Sequence, residues 1–128
     1  TNFSEMFVLK IVTDFASAHS LRDYPGDCSR LHGHNWQVEM LVVSKVLDDI
    51  GMAIDFREIK NQTKVVVKRL DHQYLNDVAP FDELNPTAEN IAKYFYDEVG
   101  LLINNQDVRV KEVTIWETLR ASVTYSED

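Results

Sequence analysis

Cysteine occurs once in these 128 residues, at Cys28, so no disulfide can close within the chain. A thiol left free fits a reducing compartment. Basic residues are also scarce: 13 Lys+Arg stand against 21 Asp+Glu, a formal net charge of −8. That balance excludes a general nucleic-acid binder, which needs a cationic face to displace counterions. An anionic substrate must meet a local basic patch, because the overall field does not attract it. No apolar run approaches the roughly 18–20 residues that span a bilayer. The opening TNFSEMFVLK has no basic segment leading into an apolar one, the pattern of a secretory signal. Repeats, low-complexity tracts and linkers are missing too. A single cytoplasmic domain over residues 1–128 is expected, its 45% hydrophobic content enough for one core.

The pattern of apolar residues predicts the elements. Residues 7–17 (FVLKIVTDFAS) and 34–44 (HNWQVEMLVVS) alternate as strands. His34, Trp36, Val38, Met40 and Val42 share one face of the second. Pro25-Gly26 marks a loop between them. Asp55, with Glu58 three residues on, resembles a capping box opening a helix. Phe56, Ile59, Thr63, Val66, Val67 and Leu70 form its apolar stripe. Residues 71–86 break the pattern and read as a loop. Thr87 is the expected N-cap of a second helix with Ile91, Ala92, Phe95, Val99 and Leu102 inward. Residues 108–117 and 119–125 close the chain as two strands. The order ββααββ predicts an α+β fold, with two helices on one face of a four-stranded antiparallel sheet. Its open edges invite pairing with another chain.

CSRLHGHNW, at 28–36, concentrates the chemistry. His32 and His34 are two apart on a strand, so both point to one face, with Gly33 between them. His19 ends the first strand, so pairing of the two strands lets three imidazoles converge. Three neutral imidazoles with an open fourth position make a catalytic zinc site; a closed structural site normally shows more cysteine. The bland alternative is that these are ordinary polar residues. Cys28 could be a small buried hydrophobe, but its surroundings are polar and turn-rich. Arg30 and a nearby metal favour its thiolate, a group able to move a proton. Asp71 can orient His72, although adjacency in sequence does not guarantee contact. Glu117 ends the alternation Val113, Ile115, Glu117. It is either a solvated strand end or a carboxylate that accepts two parallel N–H bonds, as from the 2-amino-pyrimidinone edge of a pterin.

Together these residues resemble the 6-pyruvoyl-tetrahydropterin synthase family, and within it the 6-carboxytetrahydropterin synthases of queuosine biosynthesis. The resemblance spans about residues 8–125. It rests on FASAH at 15–19, C-x-x-x-H-G-H at 28–34, G-x-x-x-D-F at 51–56, L-D-H-x-x-L-N at 70–76, N-P-T-x-E-N at 85–90 and W-E-T at 116–118. It implies a tunnelling fold whose sheets join into barrels, as a homohexamer with active sites between subunits. It implies Zn2+ on His19, His32 and His34, catalysis by Cys28, Asp71 and His72, and a pterin held by Glu117 and, from a neighbouring subunit, by Thr87. The implied substrate is 7,8-dihydroneopterin triphosphate, with Arg22, Arg30 or lysines as candidates for the triphosphate. The product is then 6-carboxytetrahydropterin, with acetaldehyde and triphosphate released, or the 6-pyruvoyl compound of the sister branch. The short spacing from Cys28 to His32 looks more like the carboxy enzymes. A third, aldolase-like branch lacks the cysteine. Two other classes remain open: a non-catalytic zinc-binding module, and a zinc hydratase or hydrolase that needs no thiol.

Overall fold

The computed structural model describes residues 5–26 and 30–128. Two long strands, β1 (Phe7–His19) and β2 (His32–Ser44), pair antiparallel along their whole length, from Phe7 opposite Ser44 to His19 opposite His32. Helices α1 (Phe56–Leu70) and α2 (Ala88–Ile103) follow, and β4 (Val108–Thr118) and β5 (Ala121–Ser126) close the chain as a second antiparallel pair. The expected four strands become five. A two-residue strand, β3 (Gln73–Tyr74), lies parallel to Ser17 and Ala18, giving the order β3-β1-β2-β4-β5. It sits inside the expected 71–86 loop, which also holds a 3-10 turn at Leu75–Asp77.

Period-2 alternation decides which face is buried. Ile11, Phe15, Ser17 and His19 of β1 turn inward, as do Trp36, Val38, Met40 and Val42 of β2 and Val113 and Ile115 of β4. Helix residues Ile59, Val66, Leu70, Ile91, Phe95 and Val99 cover that face and are fully buried. Phe15 stacks on Trp36 with ring centroids 5.9 Å apart and touches Phe95 across the layers at 5.8 Å. Both helices therefore occupy one side, as the two-layer rule requires. No helix is long and apolar enough to cross a membrane.

Details at the helix ends differ from expectation. The Asp55 side chain accepts from the Arg57 N–H at 2.8 Å and pairs with its guanidinium, while Glu58 accepts from Gln62, so no reciprocal capping box forms. Phe56 and Leu102 are exposed; Ile103 takes the inward position at the end of α2. Thr87 caps α2 as expected, its hydroxyl accepting the Asn90 N–H at 3.1 Å.

Candidate active site

The inward alternation of β1 and β2 continues past the core, and at its last positions the apolar residues give way to histidines. In register, His19 faces His32 and Ser17 faces His34. The three rings are mutual neighbours, with centroids 4.4 Å (His19–His32), 4.9 Å (His32–His34) and 5.2 Å (His19–His34) apart. Fully buried Trp36 forms the floor, edge-on to His19 at 4.9 Å and to His34 at 5.1 Å.

Hydrogen bonds set the tautomers of two of the rings. His19 Nδ1 lies 2.7 Å from the Pro86 carbonyl, and His32 Nδ1 lies 2.7 Å from the Arg30 carbonyl. A carbonyl only accepts, so each Nδ1 carries a proton and donates it, and each Nε2 keeps its lone pair. The Nε2 atoms of His19 and His34 are buried and have no hydrogen-bond partner. Leaving a buried polar atom unpaired costs about 1–3 kcal/mol, a cost that a bound cation removes. One donor atom each from His19, His32, His34 and Glu117 lies within 4.8 Å of the others. This donor set, with ring protons held on the far side by carbonyls, fits a divalent ion that accepts imidazole nitrogen.

The electrostatics agree. Burial holds the His19 imidazole below its ordinary pKa; His32 and His34 push the same way, against the Pro86 carbonyl and Glu117. Burial also lowers His34, with Glu117 opposing and His32 reinforcing. Rings kept neutral are rings ready to ligate.

Glu117 owes its placement to a bulge. Trp116 pairs with Ser122 and Thr118 with Ala121, so Glu117 is the extra residue of β4. A bulge re-aims a side chain. Here Glu117 Oε1 reaches within 3.4 Å of both His19 Nε2 and His34 Nε2, an approach without a hydrogen bond. The same side chain lines a cavity of about 320 Å³ with Leu21, Tyr24, Thr87, Ser122 and Val123. Glu117 and Thr87, far apart in sequence, thus share one pocket beside the imidazoles.

Asp71 and His72 stand elsewhere. Asp71 Oδ1 accepts the Ala16 N–H at 2.9 Å and contacts His72 Nδ1 at 3.1 Å. The Ala16 N–H, followed by His72, holds the Asp71 carboxyl below the usual carboxylate range. The His72 N–H donates to the Ala16 carbonyl at 2.6 Å, and its backbone is left-handed, φ 57°. Its side chain is 82% exposed. It lines a shallow depression with Ala16, Ala18, Gly33, His34 and Asn35, and is not among the clustered donors. Cys28 lies outside the described residues. The Arg22 guanidinium donates to the carbonyls of Phe81 (2.6 Å), Leu84 (3.2 Å), Asp82 (3.3 Å) and Asn76 (3.4 Å), and the residue also lines the cavity that holds Glu117 and Thr87.

The profile of 6-pyruvoyl tetrahydropterin synthase matches residues 8–128. The chain belongs to that family. Members of the 6-pyruvoyl tetrahydropterin synthase family are lyase-type enzymes, and the α+β chain described above has their tunnelling fold. A 6-carboxy-5,6,7,8-tetrahydropterin synthase of Aquifex aeolicus is 33% identical, over 79% of this chain and 76% of its own length. A dihydroneopterin monophosphate aldolase of Pyrococcus furiosus is 32% identical, over 80% of this chain and 82% of its own. The structure of Caenorhabditis elegans 6-pyruvoyl tetrahydropterin synthase matches with a TM-score of 0.86 at 26% identity, covering 97% of each chain. Family relatives therefore carry three named activities.

Proposed function

We propose that this enzyme converts 7,8-dihydroneopterin triphosphate to 6-carboxytetrahydropterin, releasing acetaldehyde and triphosphate, in the queuosine pathway. The observation that carries the reading is the convergence of three imidazoles beside a pocket that holds Glu117 and Thr87. A zinc ion on His19, His32 and His34 would act as a Lewis acid on oxygens of the substrate side chain. The Glu117 carboxylate accepts two N–H bonds from the pterin edge and fixes the ring. Thr87 lines the same pocket. Asp71 holds His72 Nδ1, which leaves His72 Nε2 to move a proton. Cys28 supplies the second proton-moving group, on the other side of the substrate side chain. The spacing C-x-x-x-H-G-H favours the carboxy branch over the 6-pyruvoyl branch, and the presence of Cys28 disfavours the aldolase branch.

The outward exposure of His72 suits a site completed between subunits. The sheet edges supply a means: among the described residues, Phe7–Phe15 of β1 pair only with β2, and β5 pairs only with β4. Unpaired edges of this kind join sheets into a barrel, here as a homohexamer.

Product analysis by mass spectrometry tests the reaction. Zinc-loaded protein is incubated separately with 7,8-dihydroneopterin triphosphate and with the monophosphate. A 6-carboxytetrahydropterin with acetaldehyde is expected from the triphosphate. A 6-pyruvoyl product moves the enzyme to the sister branch, and cleavage of the monophosphate moves it to the aldolases. Unchanged substrate leaves a zinc-binding module.

A further inference from the structure

Three consecutive residues link the imidazole cluster to the pocket beside it. Asn85 pairs with the backbone of Arg22 in both directions: its Oδ1 accepts the Arg22 N–H at 2.9 Å and its Nδ2 donates to the Arg22 carbonyl at 3.3 Å. Pro86 gives its carbonyl to His19 Nδ1. Thr87 caps α2 and lines the pocket with Glu117. Asn76 repeats the two-way pairing on Ser20, with both bonds at 2.9 Å. The two asparagines are side-chain rungs that fasten residues 76–85 to the chain just beyond His19. Between the rungs, the Arg22 guanidinium gathers carbonyls of residues 76–84. From the first turn of α2, Asn90 Nδ2 donates to the Asn85 carbonyl at 2.8 Å.

One contact in this lattice reaches the imidazole cluster. The Pro86 carbonyl is spent on His19, whose ring is fully buried. Its ring proton has no solvent to fall back on. If Pro86 shifts, that proton loses its acceptor, and the preference that keeps the lone pair on Nε2 weakens. Proline suits the position because its fixed φ narrows where the carbonyl can point.

We propose that Asn85 is a positioning residue of the metal centre: pinned to Arg22, it holds the Pro86 carbonyl on His19, so the metal site and the loop leading to Thr87 order one another. This rests on reading His19, His32 and His34 as metal ligands. Coupling between two sites is reciprocal, so a loop that tightens metal binding is itself tightened by the metal.

The test measures zinc affinity by competition with a chromophoric chelator, for the full chain and for Asn85→Ala, with the melting temperature of each metal-free protein. Asn104→Ala is the control: the Asn104 side chain also accepts a backbone N–H, that of Val110 at 2.7 Å, but at the far end of α2. Asn85→Ala is expected to lose up to roughly 10-fold in zinc affinity, the low end of the range for removing a direct partner of a ligating histidine, because the Pro86 carbonyl stays and only its hold is loosened. Asn104→Ala should lose stability and keep its zinc affinity. Equal affinity in Asn85→Ala and the unaltered protein overturns the proposal, as does equal loss in both variants. If Asn85→Ala does not fold, hydrogen exchange of the unaltered protein decides. Zinc should slow exchange at the amides of Ser20, Arg22 and Asn90, and unchanged rates there overturn the proposal. Failure of the unaltered protein to bind zinc removes the metal reading itself, a result distinct from either.

Discussion

The two ends of the proposed chemistry meet the same stretch of β1 and are built in opposite ways. On the inner face, His19 is fully buried, two ring protons are fixed by carbonyls, and the Nε2 atoms of His19 and His34 are buried without a partner. At the outer edge, His72 is 82% exposed and held from behind, by Asp71 on its ring and Ala16 on its backbone. A left-handed conformation costs a residue other than glycine about 1–3 kcal/mol, and here the Ala16 contacts hold it. The inner site draws all its candidate ligands from one chain. The outer pair fixes one ring nitrogen and leaves the His72 side chain largely exposed. A cation needs several donors at once, which a strand pair supplies from one fold. A proton carrier needs one aimed atom, which an edge can present to a substrate or to a neighbouring copy.

The largest effect should come from breaking the inner site. His34→Ala should lower zinc affinity by more than the roughly 100-fold that loss of a supporting partner causes, because a ligand itself is gone. Chelator competition measures it. Glu117→Gln sharpens the contrast within that site. If Glu117 anchors the pterin, zinc affinity stays and substrate binding weakens by about 1.5–3 kcal/mol, the worth of a hydrogen bond to a charged group. If zinc affinity falls as in His34→Ala, the carboxylate is a fourth ligand, as its 3.4 Å approach to two Nε2 atoms allows. At the outer site, Asp71→Asn should leave zinc binding untouched and lower kcat by roughly 10-fold, a part of what general acid–base catalysis contributes. A fall in zinc affinity for Asp71→Asn would merge the two sites into one.

The inner site was legible in the sequence because its geometry is periodic. H-x-H on a strand can only point to one face, and the alternation through Phe15, Ser17 and His19 gave the partner strand its matching side. What supports the ligands was not legible. Pro86 acts through a backbone carbonyl, which no side-chain pattern advertises; the N-P-T run at 85–87 was visible, but only Thr87 received a task from it. Arg22 stood out by its charge alone, and its bonds to the loop carbonyls are equally invisible to a side-chain pattern. Strand β3 is two residues long, and the contact that leads into it joins Asp71 to Ala16 across 55 positions of sequence. At the helix ends the competition was local: Arg57 won Asp55, and Gln62 won Glu58.

Acid should separate the two regions further. Burial depresses His19 and His34 in the folded protein, while the unfolded chain titrates near 6.5. The unfolded state then binds more protons as pH falls, so this contribution is present above about 6.5 and is lost below it. The metal-free protein should melt at lower temperature at pH 5.5 than at pH 7.5. His34→Ala should show a shallower dependence, since one of the depressed groups is removed. An unchanged slope would mean that His34 titrates alike in both states, and that the inner site is less dry than its geometry indicates.

The smallest effect falls on the inner face one step short of the cluster. Ser17 is 6% exposed and its hydroxyl has no hydrogen-bond partner, while its carbonyl accepts from Trp36 Nε1 at 3.4 Å. Ser17→Ala keeps that carbonyl and deletes the unpaired group. Removing it should stabilise the metal-free protein by about 1 kcal/mol. That corresponds to a rise of roughly 3–5 °C in Tm for a chain of this size. The zinc-loaded protein supplies the comparison. An equal gain with and without zinc makes Ser17 a plain unsatisfied hydroxyl at the end of the core. A gain in the metal-free form that vanishes or reverses with zinc ties the hydroxyl to whatever the imidazoles hold, and extends the inner site by one residue along β1.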